Sequence, residues 1–182
     1  MKPGTRALGI AESYRDETST IAGSVVRADC VVDGIAIGSC TVGGTDATDA
    51  ILDLWASLDR EDIQYLLVAG IAPAWFNIVD LHHLHDTTGL PTLSISFEGS
   101  SGLGDAIDTA FEGTEKRVRL DCYRAQPSRL PVTVNGEQVF VRSVGLESAE
   151  AKAVVRRFTP AGGRPEPLRV ARLVARAVEN RV

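Results

Sequence analysis

With 182 residues, 44% hydrophobic and 24% charged, the chain has the make-up of a globular protein and is expected to form one domain, long enough to bury roughly 70% of its unfolded surface. A formal net charge of −5 argues against a broadly basic nucleic-acid-binding surface, although a local patch is compatible with it. No apolar run reaches the roughly eighteen residues that span a bilayer, and the run after Met1-Lys2-Pro3-Gly4-Thr5-Arg6 is too short for a signal peptide, so no membrane association and a cytoplasmic location are expected.

Ala7-Leu8-Gly9-Ile10-Ala11 reads as a buried first strand. The polar segment Ser13 to Ser19 predicts a turn, and Thr20 to Ala28, with Ile21, Val25 and Val26, a second strand. Cys30, Cys40 and Cys122 are odd in number and lack the spacing of a zinc site or redox motif, which makes them buried or idle thiols. A third strand is expected within Val31 to Val42, its register blurred by Asp33-Gly34 and Gly38. From Thr45 or Asp46, either of which can cap free amides, Ala50, Ile51, Leu54, Trp55 and Leu58 recur at helical spacing.

Tyr65-Leu66-Leu67-Val68 is a short apolar run that stops at Ala69-Gly70. A helix is predicted from about Trp75 to Asp86, and Gly89-Leu90-Pro91-Thr92 opens a second apolar run through Ile95. Strand, helix and strand in this short span form a parallel crossover unit, whose ligand side lies at the carboxyl ends of the strands. Chemistry is therefore expected at the end of the first of them, where the chain carries Ala69.

Farther on, Ser101 to Phe111 predicts a short helix and Arg117 to Tyr123 an added strand, followed by Val132-Thr133-Val134 and Gln138 to Val141. Ser148 to Phe158 has helical periodicity in Ala151, Val154, Val155 and Phe158. After Gly162-Gly163, Pro165 and Pro167 lead into a last helix, since proline is tolerated in a first turn. Arg169, Arg172 and Arg176 form one stripe of that helix, either a phosphate contact or a solvated basic face. Three antiparallel strands, a helix, then strand, helix and strand open a ribonuclease H-like α/β domain by topology.

The segment Tyr65 to Ser96 resembles endonuclease V, whose corresponding strand reads apolar-apolar-Val-Asp-Gly before a helix and Gly-Leu-Pro-Thr. It is more similar still to an archaeal family of endonuclease V-like proteins of unknown function, with a Gly-Ile-Ala, Phe-Asn, Val-Asp pattern matched by Gly70-Ile71-Ala72 and Phe76-Asn77-Ile78-Val79-Asp80. Val139-Phe140-Val141-Arg142-Ser143-Val144-Gly145 resembles endonuclease V's strand ending in Val-Gly-His, and Arg164-Pro165-Glu166-Pro167-Leu168-Arg169-Val170-Ala171 resembles its Leu-Pro-Glu-Pro-Thr-Arg-Leu-Ala run. The resemblance covers most of the chain in order and implies a ribonuclease H-like mixed sheet with flanking helices.

Endonuclease V works with an aspartate ending its first strand, a glutamate near the following helix, the aspartate of the Val-Asp-Gly strand, and a lysine after Gly-Leu-Pro-Thr. An ungapped match places Ala11, Asp46, Ala69 and Phe97 at these four positions, and Leu146 at the histidine. Two-metal phosphodiester cleavage needs carboxylates converging on cations roughly 4 Å apart. Alanine cannot hold magnesium, which takes hard oxygen ligands in octahedral geometry. The resemblance thus implies a nucleic-acid-associated protein, with DNA or RNA as partner, whose metal site is degenerate and which acts without the family's cleavage. One alternative is a divalent-metal nuclease using magnesium or manganese at a site rebuilt around Glu12 and Asp46, helped by Asp80. Another is a protein-binding scaffold, with Trp75, Phe76 and the histidine helix at a homo-oligomer interface.

The candidate pocket residues are Glu12, Asp46, Asn77 and Asp80, each with a structural alternative. Glu12, adjacent to Ala11, faces the opposite side of the sheet unless the strand ends there. Asp46 at a helix start is favoured by the free amides whether or not it binds metal. Asn77 and Asp80, three apart, could share a helix face. His82, His83 and His85 offer only one pair at ligand spacing and no third ligand nearby, so a solvated or interfacial helix end is preferred. Gly43-Gly44-Thr45-Asp46 and Gly99-Ser100-Ser101-Gly102 lack phosphate-loop spacing and read as turns.

Overall fold

In the computed structural model, which describes residues 1–180, alternating side chains of a central sheet divide the core into two layers. The strands are β1 (Arg6–Tyr14), β2 (Thr18–Arg27), β3 (Val32–Thr41), β4 (Ile63–Ala69), β5 (Thr92–Ser96), β6 (Leu130–Val134) and β7 (Glu137–Val144). They pair in the order β3-β2-β1-β4-β5-β7-β6. β4 runs parallel to β1 and to β5; the β1–β2, β2–β3, β5–β7 and β6–β7 pairs are antiparallel. This is a mixed α/β sheet of the ribonuclease H-like class.

Leu8, Ile10, Ile21, Leu66 and Val68 face one way, into a core with Ile51 and Leu54 of α1 (Ala47–Leu58) and Leu81 and Leu84 of α3 (Leu81–Thr88). Ala7, Leu67, Leu93, Val139 and Val141 face the other way, toward α6 (Ser148–Arg157) and α7 (Glu166–Glu179). The period-two alternation of a strand produces this division. α7 can lie against β1 because Gly9 has no side chain: a Cβ there would stand 2.3 Å from the carbonyl carbon of Pro167. Fully buried Ser24 of β2 donates its hydroxyl to the Pro167 carbonyl oxygen at 2.6 Å, fixing the first turn of the helix.

The first turn is shorter than expected, because β1 and β2 continue to Tyr14 and Thr18 and leave only 15–17 between them. Two larger expectations are corrected. The helix over 75–86 is instead a single turn, α2 (Pro73–Phe76), then an extended link, then α3. Ala74, Trp75 and Phe76 take left-handed φ angles of 48°, 55° and 61°, which residues with side chains seldom adopt. The path is held by Gly43 N–H donating to the Ala74 carbonyl at 2.7 Å and Val79 N–H donating to that of Ile71 at 2.9 Å. Apolar residues here pack in two directions, Ala74 and Val79 into the first core layer and Phe76 and Ile78 beside Ile107 and Phe111, which mimics one helical stripe.

The strand expected over Arg117 to Tyr123 is the middle of α5 (Gly113–Ala125), which follows α4 (Gly104–Ala110). Val118, Leu120 and Cys122 alternate as strand residues do, yet Val118 is exposed and the anchor is Arg119. That buried guanidinium donates to the carbonyl oxygens of Gly43 and Gly44 and lies 3.9 Å over the Phe111 ring. Tertiary contacts override the local pattern. No helix among the described residues is long and apolar enough to cross a membrane.

Candidate functional site

The parallel pairing of β1 with β4 ends at Ile10 and Val68, so Ala11 and Ala69 are the next residue on each strand. They mark the carboxyl edge, where a parallel unit presents its ligand side. Neither side chain can donate a lone pair. The cleft they share with Glu12, Ile51, Val68 and Pro73 has room for about 10 Å³, the space of a single water, and Glu12 is the one carboxylate in its lining.

Because β1 continues past Ala11, Glu12 lies with Ile10 and Ile21 on the α1 side of the sheet. Ser19 donates its hydroxyl to Glu12 Oε2 at 2.9 Å. Buried Cys40 lies near this pair; burial first, then the negative charges of Asp46 and Glu12, push its thiol up to about 12. The thiol therefore stays protonated at neutral pH, and thiolate chemistry is closed to it.

Asp46 occupies the position before α1, but its side chain does not cap the helix. Its carboxylate accepts from the Thr41 amide at 3.1 Å, the Thr41 hydroxyl at 2.8 Å and Asn77 Nδ2 at 2.7 Å. Burial pushes the Asp46 carboxyl up, but the hydrogen bonds from Asn77 and Thr41 outweigh it and hold the group below the ordinary carboxylate value. Fully buried Asn77 also accepts from the Ala47 amide at 2.9 Å and donates to the Thr41 carbonyl at 2.9 Å, so it caps α1 from outside that helix.

Asp80 caps α3 in the ordinary way, accepting from the amides of His82 at 3.0 Å and His83 at 3.2 Å. It therefore does not share a helix face with Asn77. His82 Nε2 meets the Ala125 carbonyl and His85 Nδ1 the Leu90 carbonyl, so their rings diverge. Among the described residues, no three His, Cys, Asp or Glu side chains are grouped so as to hold a metal ion. Two carboxylates, Glu12 and Asp46, already hydrogen-bonded to Ser19, Thr41 and Asn77 and standing beside two alanines, fall short of the converging acids of a two-metal centre.

Exposed Trp75 packs on Phe76 and Phe111, with ring centroids 5.7 and 5.2 Å away. A cavity of about 300 Å³ lies on the other side of Ala69, at the carboxyl ends of β4 and β5. Gly70, Ile71, Ala72, Ser94 and Phe97 contribute apolar and small groups to its lining, and Arg129, Arg142, Arg164 and Arg172 supply positive charge.

Three of these guanidiniums lie over aromatic faces: Arg164 over Phe97 at 3.7 Å, Arg129 over Phe140 at 4.9 Å and Arg142 over Tyr123 at 5.2 Å. Phe97, the match to the lysine position, thus carries a cation on its face instead of being one. Burial lowers the Arg142 pKa, and burial followed by repulsion from Arg172 and Arg176 lowers that of Arg164; both remain charged. Among the described residues, none of the four is paired with a carboxylate.

The stripe Arg169, Arg172 and Arg176 divides. Arg172 reaches the cavity, Arg169 pairs with Glu166 at 2.6 Å, and Arg176 stays outside while adding to the field at Arg164. Arg129, Arg142 and Arg164 were missed because pairing of β5 with β7 and docking of α7 bring them together from distant sequence positions. Their one sequence signal was that Arg142 and Arg164 sit inside the two C-terminal motifs.

A family model described as endonuclease dU matches residues 3–179. A UPF0215 protein of Pyrobaculum calidifontis is 32% identical over 176 residues, covering 95% of this chain and 96% of its own length. A solved protein of unknown function from Archaeoglobus fulgidus superposes with a TM-score of 0.85 at 24% identity, over 96% of this chain and 98% of that one. Endonuclease V of Ciona intestinalis, solved in complex with a 24mer DNA containing an inosine followed by a ribo-adenosine, superposes with a TM-score of 0.66 at 13% identity, over 97% and 87%. At these identities the two structures bear on fold alone.

Proposed function

The chain belongs to the endonuclease dU family, and from that premise we propose that it binds DNA or RNA at the carboxyl edge of β1, β4 and β5 without the two-metal cleavage of endonuclease V. The observation carrying this reading is the pairing of two neighbours at that edge: strand ends bearing Ala11 and Ala69, and a cavity bearing four arginines without carboxylate partners. Unpaired arginines suit phosphate oxygens, which they grip in bidentate fashion. The DNA held by the endonuclease V of Ciona intestinalis supports a nucleic acid as the partner class. The protein's overall negative charge confines binding to this local patch.

Binding and cleavage of deoxyuridine-containing, inosine-containing and unmodified DNA and RNA, with magnesium or manganese at low salt, test the proposal. Retention of intact strands is the expected outcome, and no binding at low salt would sink it. A second reading, a divalent-metal nuclease, is favoured by the approach of Glu12 and Asp46 to the same cysteine, Cys40. It requires Asp46 to give up hydrogen bonds from Thr41 and Asn77. Manganese-dependent scission that Glu12→Gln abolishes would establish it over the first.

A further inference from the structure

A buried cation without an anion beside it is unfavourable, because desolvation is not offset by a partner. Arg142 is such a cation: it is 8% exposed, lines the cavity, and reaches only neutral acceptors, the Pro127 carbonyl and the Tyr123 hydroxyl. Arg129 likewise donates only to neutral oxygens, at Glu98 and Ser100. Arg164 and Arg172 have no hydrogen-bond acceptor among the described residues, and the Arg164 guanidinium carbon lies 3.7 Å from the centre of the Phe97 ring. A ring face positions a guanidinium without neutralising it and leaves its N–H edge free to donate in the plane. The cavity thus holds oriented donors and unbalanced charge in one place.

We infer that this cavity takes a phosphomonoester, the terminal phosphate of a nucleic-acid strand or of a free mononucleotide. The strand-end form rests on the nucleic-acid reading above. About 300 Å³ matches one small ligand and not a length of backbone. An internal phosphodiester brings one negative charge, whereas a terminal phosphate brings roughly 1.5 to 2 at pH 7 and three acceptor oxygens. Against four arginines the second is the better match. Glu98, exposed at the rim, opposes an anion there and favours the inner end near Arg142. The apolar floor of Ile71 and Ala72 offers contact to the attached sugar or base.

The test compares a labelled single strand of about 12 nucleotides bearing a 5′-phosphate, a 3′-phosphate or neither, by fluorescence anisotropy at low salt. Calorimetry with a 5′-mononucleotide and with its nucleoside supplies the free-ligand arm. One phosphorylated form should bind about tenfold tighter than its hydroxyl counterpart, the scale of a few charge-assisted hydrogen bonds. The preference should vanish in Arg164→Gln and in Arg172→Gln, variants that remove no hydrogen bond to the protein, with circular dichroism confirming the fold.

Preference for one strand end assigns that end. Binding of the mononucleotide alone upholds the phosphomonoester site but overturns the nucleic-acid reading. Strands that bind equally with or without a terminal phosphate, with no mononucleotide binding, overturn the inference and leave the nucleic-acid reading standing. An absence of binding by every probe overturns both.

Discussion

Asp46 and Asn77 complete each other's hydrogen bonding: Asn77 Nδ2 donates to Asp46 Oδ1 at 2.7 Å, while Asn77 Oδ1 takes up the Ala47 amide that Asp46 leaves uncapped. The two side chains join the end of β3, the start of α1 and the link after α2. The carboxylate that sequence matching offers as a metal ligand is thereby committed to holding three elements together.

Asn77→Ala should therefore destabilise the fold by about 2–4 kcal/mol, since it strands a buried amide and removes a donor from a partly buried carboxylate. Asn77→Asp should cost at least as much, because it cannot donate to Asp46 and sets a like charge beside it. Urea unfolding at pH 7 measures both.

Stability should fall in acid. Asp33 is held below the ordinary carboxylate value by hydrogen bonds from Arg6 and then Arg60, Asp62 by Arg60, and Asp46 by Asn77 and Thr41 against the opposing effect of burial. A depressed folded-state pKa means that the unfolded chain takes up protons first. The stabilisation is complete above the unfolded value near about 4 and is lost as pH falls through the folded values. The melting temperature should hold steady between about pH 7 and 5 and drop below about pH 4, with Asp33→Asn removing part of the slope.

Gly9→Ala should cost about 3 kcal/mol or more, at the upper end of overpacking. Its Cβ meets backbone atoms of Pro167, which cannot turn aside as a flexible side chain could. The displacement of α7 should also carry Arg172 from the cavity, so strand binding weakens alongside the loss in melting temperature. Ser24→Ala, which removes only the bond to the Pro167 carbonyl, should cost about 1 kcal/mol.

Ala11→Asp combined with Ala69→Asp should lower the melting temperature without metal, as two acids enter adjacent strand ends where Ala11 is buried. Manganese should restore it, by about 2.7 kcal/mol at a concentration a hundredfold above the dissociation constant. The parent protein should show no comparable rise. Thermal unfolding across a manganese titration separates the two.

The crossover of β4 and β5 was legible because Leu66, Leu67 and Val68 are buried on both faces of the sheet, and such strands read as unbroken apolar runs. α6 and α7 were legible from the spacing of Ala151, Val154 and Val155 and of Leu168, Ala171 and Ala175. The bend at Ala74 to Phe76 was not, since a left-handed backbone normally announces itself through glycine and none is present there. The site was half legible. Ala11 and Ala69 could be placed at strand ends from sequence, but the arginine cavity depends on stacking upon Phe97, Tyr123 and Phe140, which residue spacing does not encode.

Three successive left-handed residues between β4 and α3 hold roughly 3–6 kcal/mol of strain at about 1–2 kcal/mol each, a sizeable share of the 5–15 kcal/mol that keeps a typical domain folded. Glycine at Trp75, the exposed one of the three, would follow the same path with less backbone strain, whereas Ala74 and Phe76 also pack into the core on either side. The bend thus ties the exposed Trp75 surface to a standing backbone cost, which the rest of the fold must carry for that surface to persist.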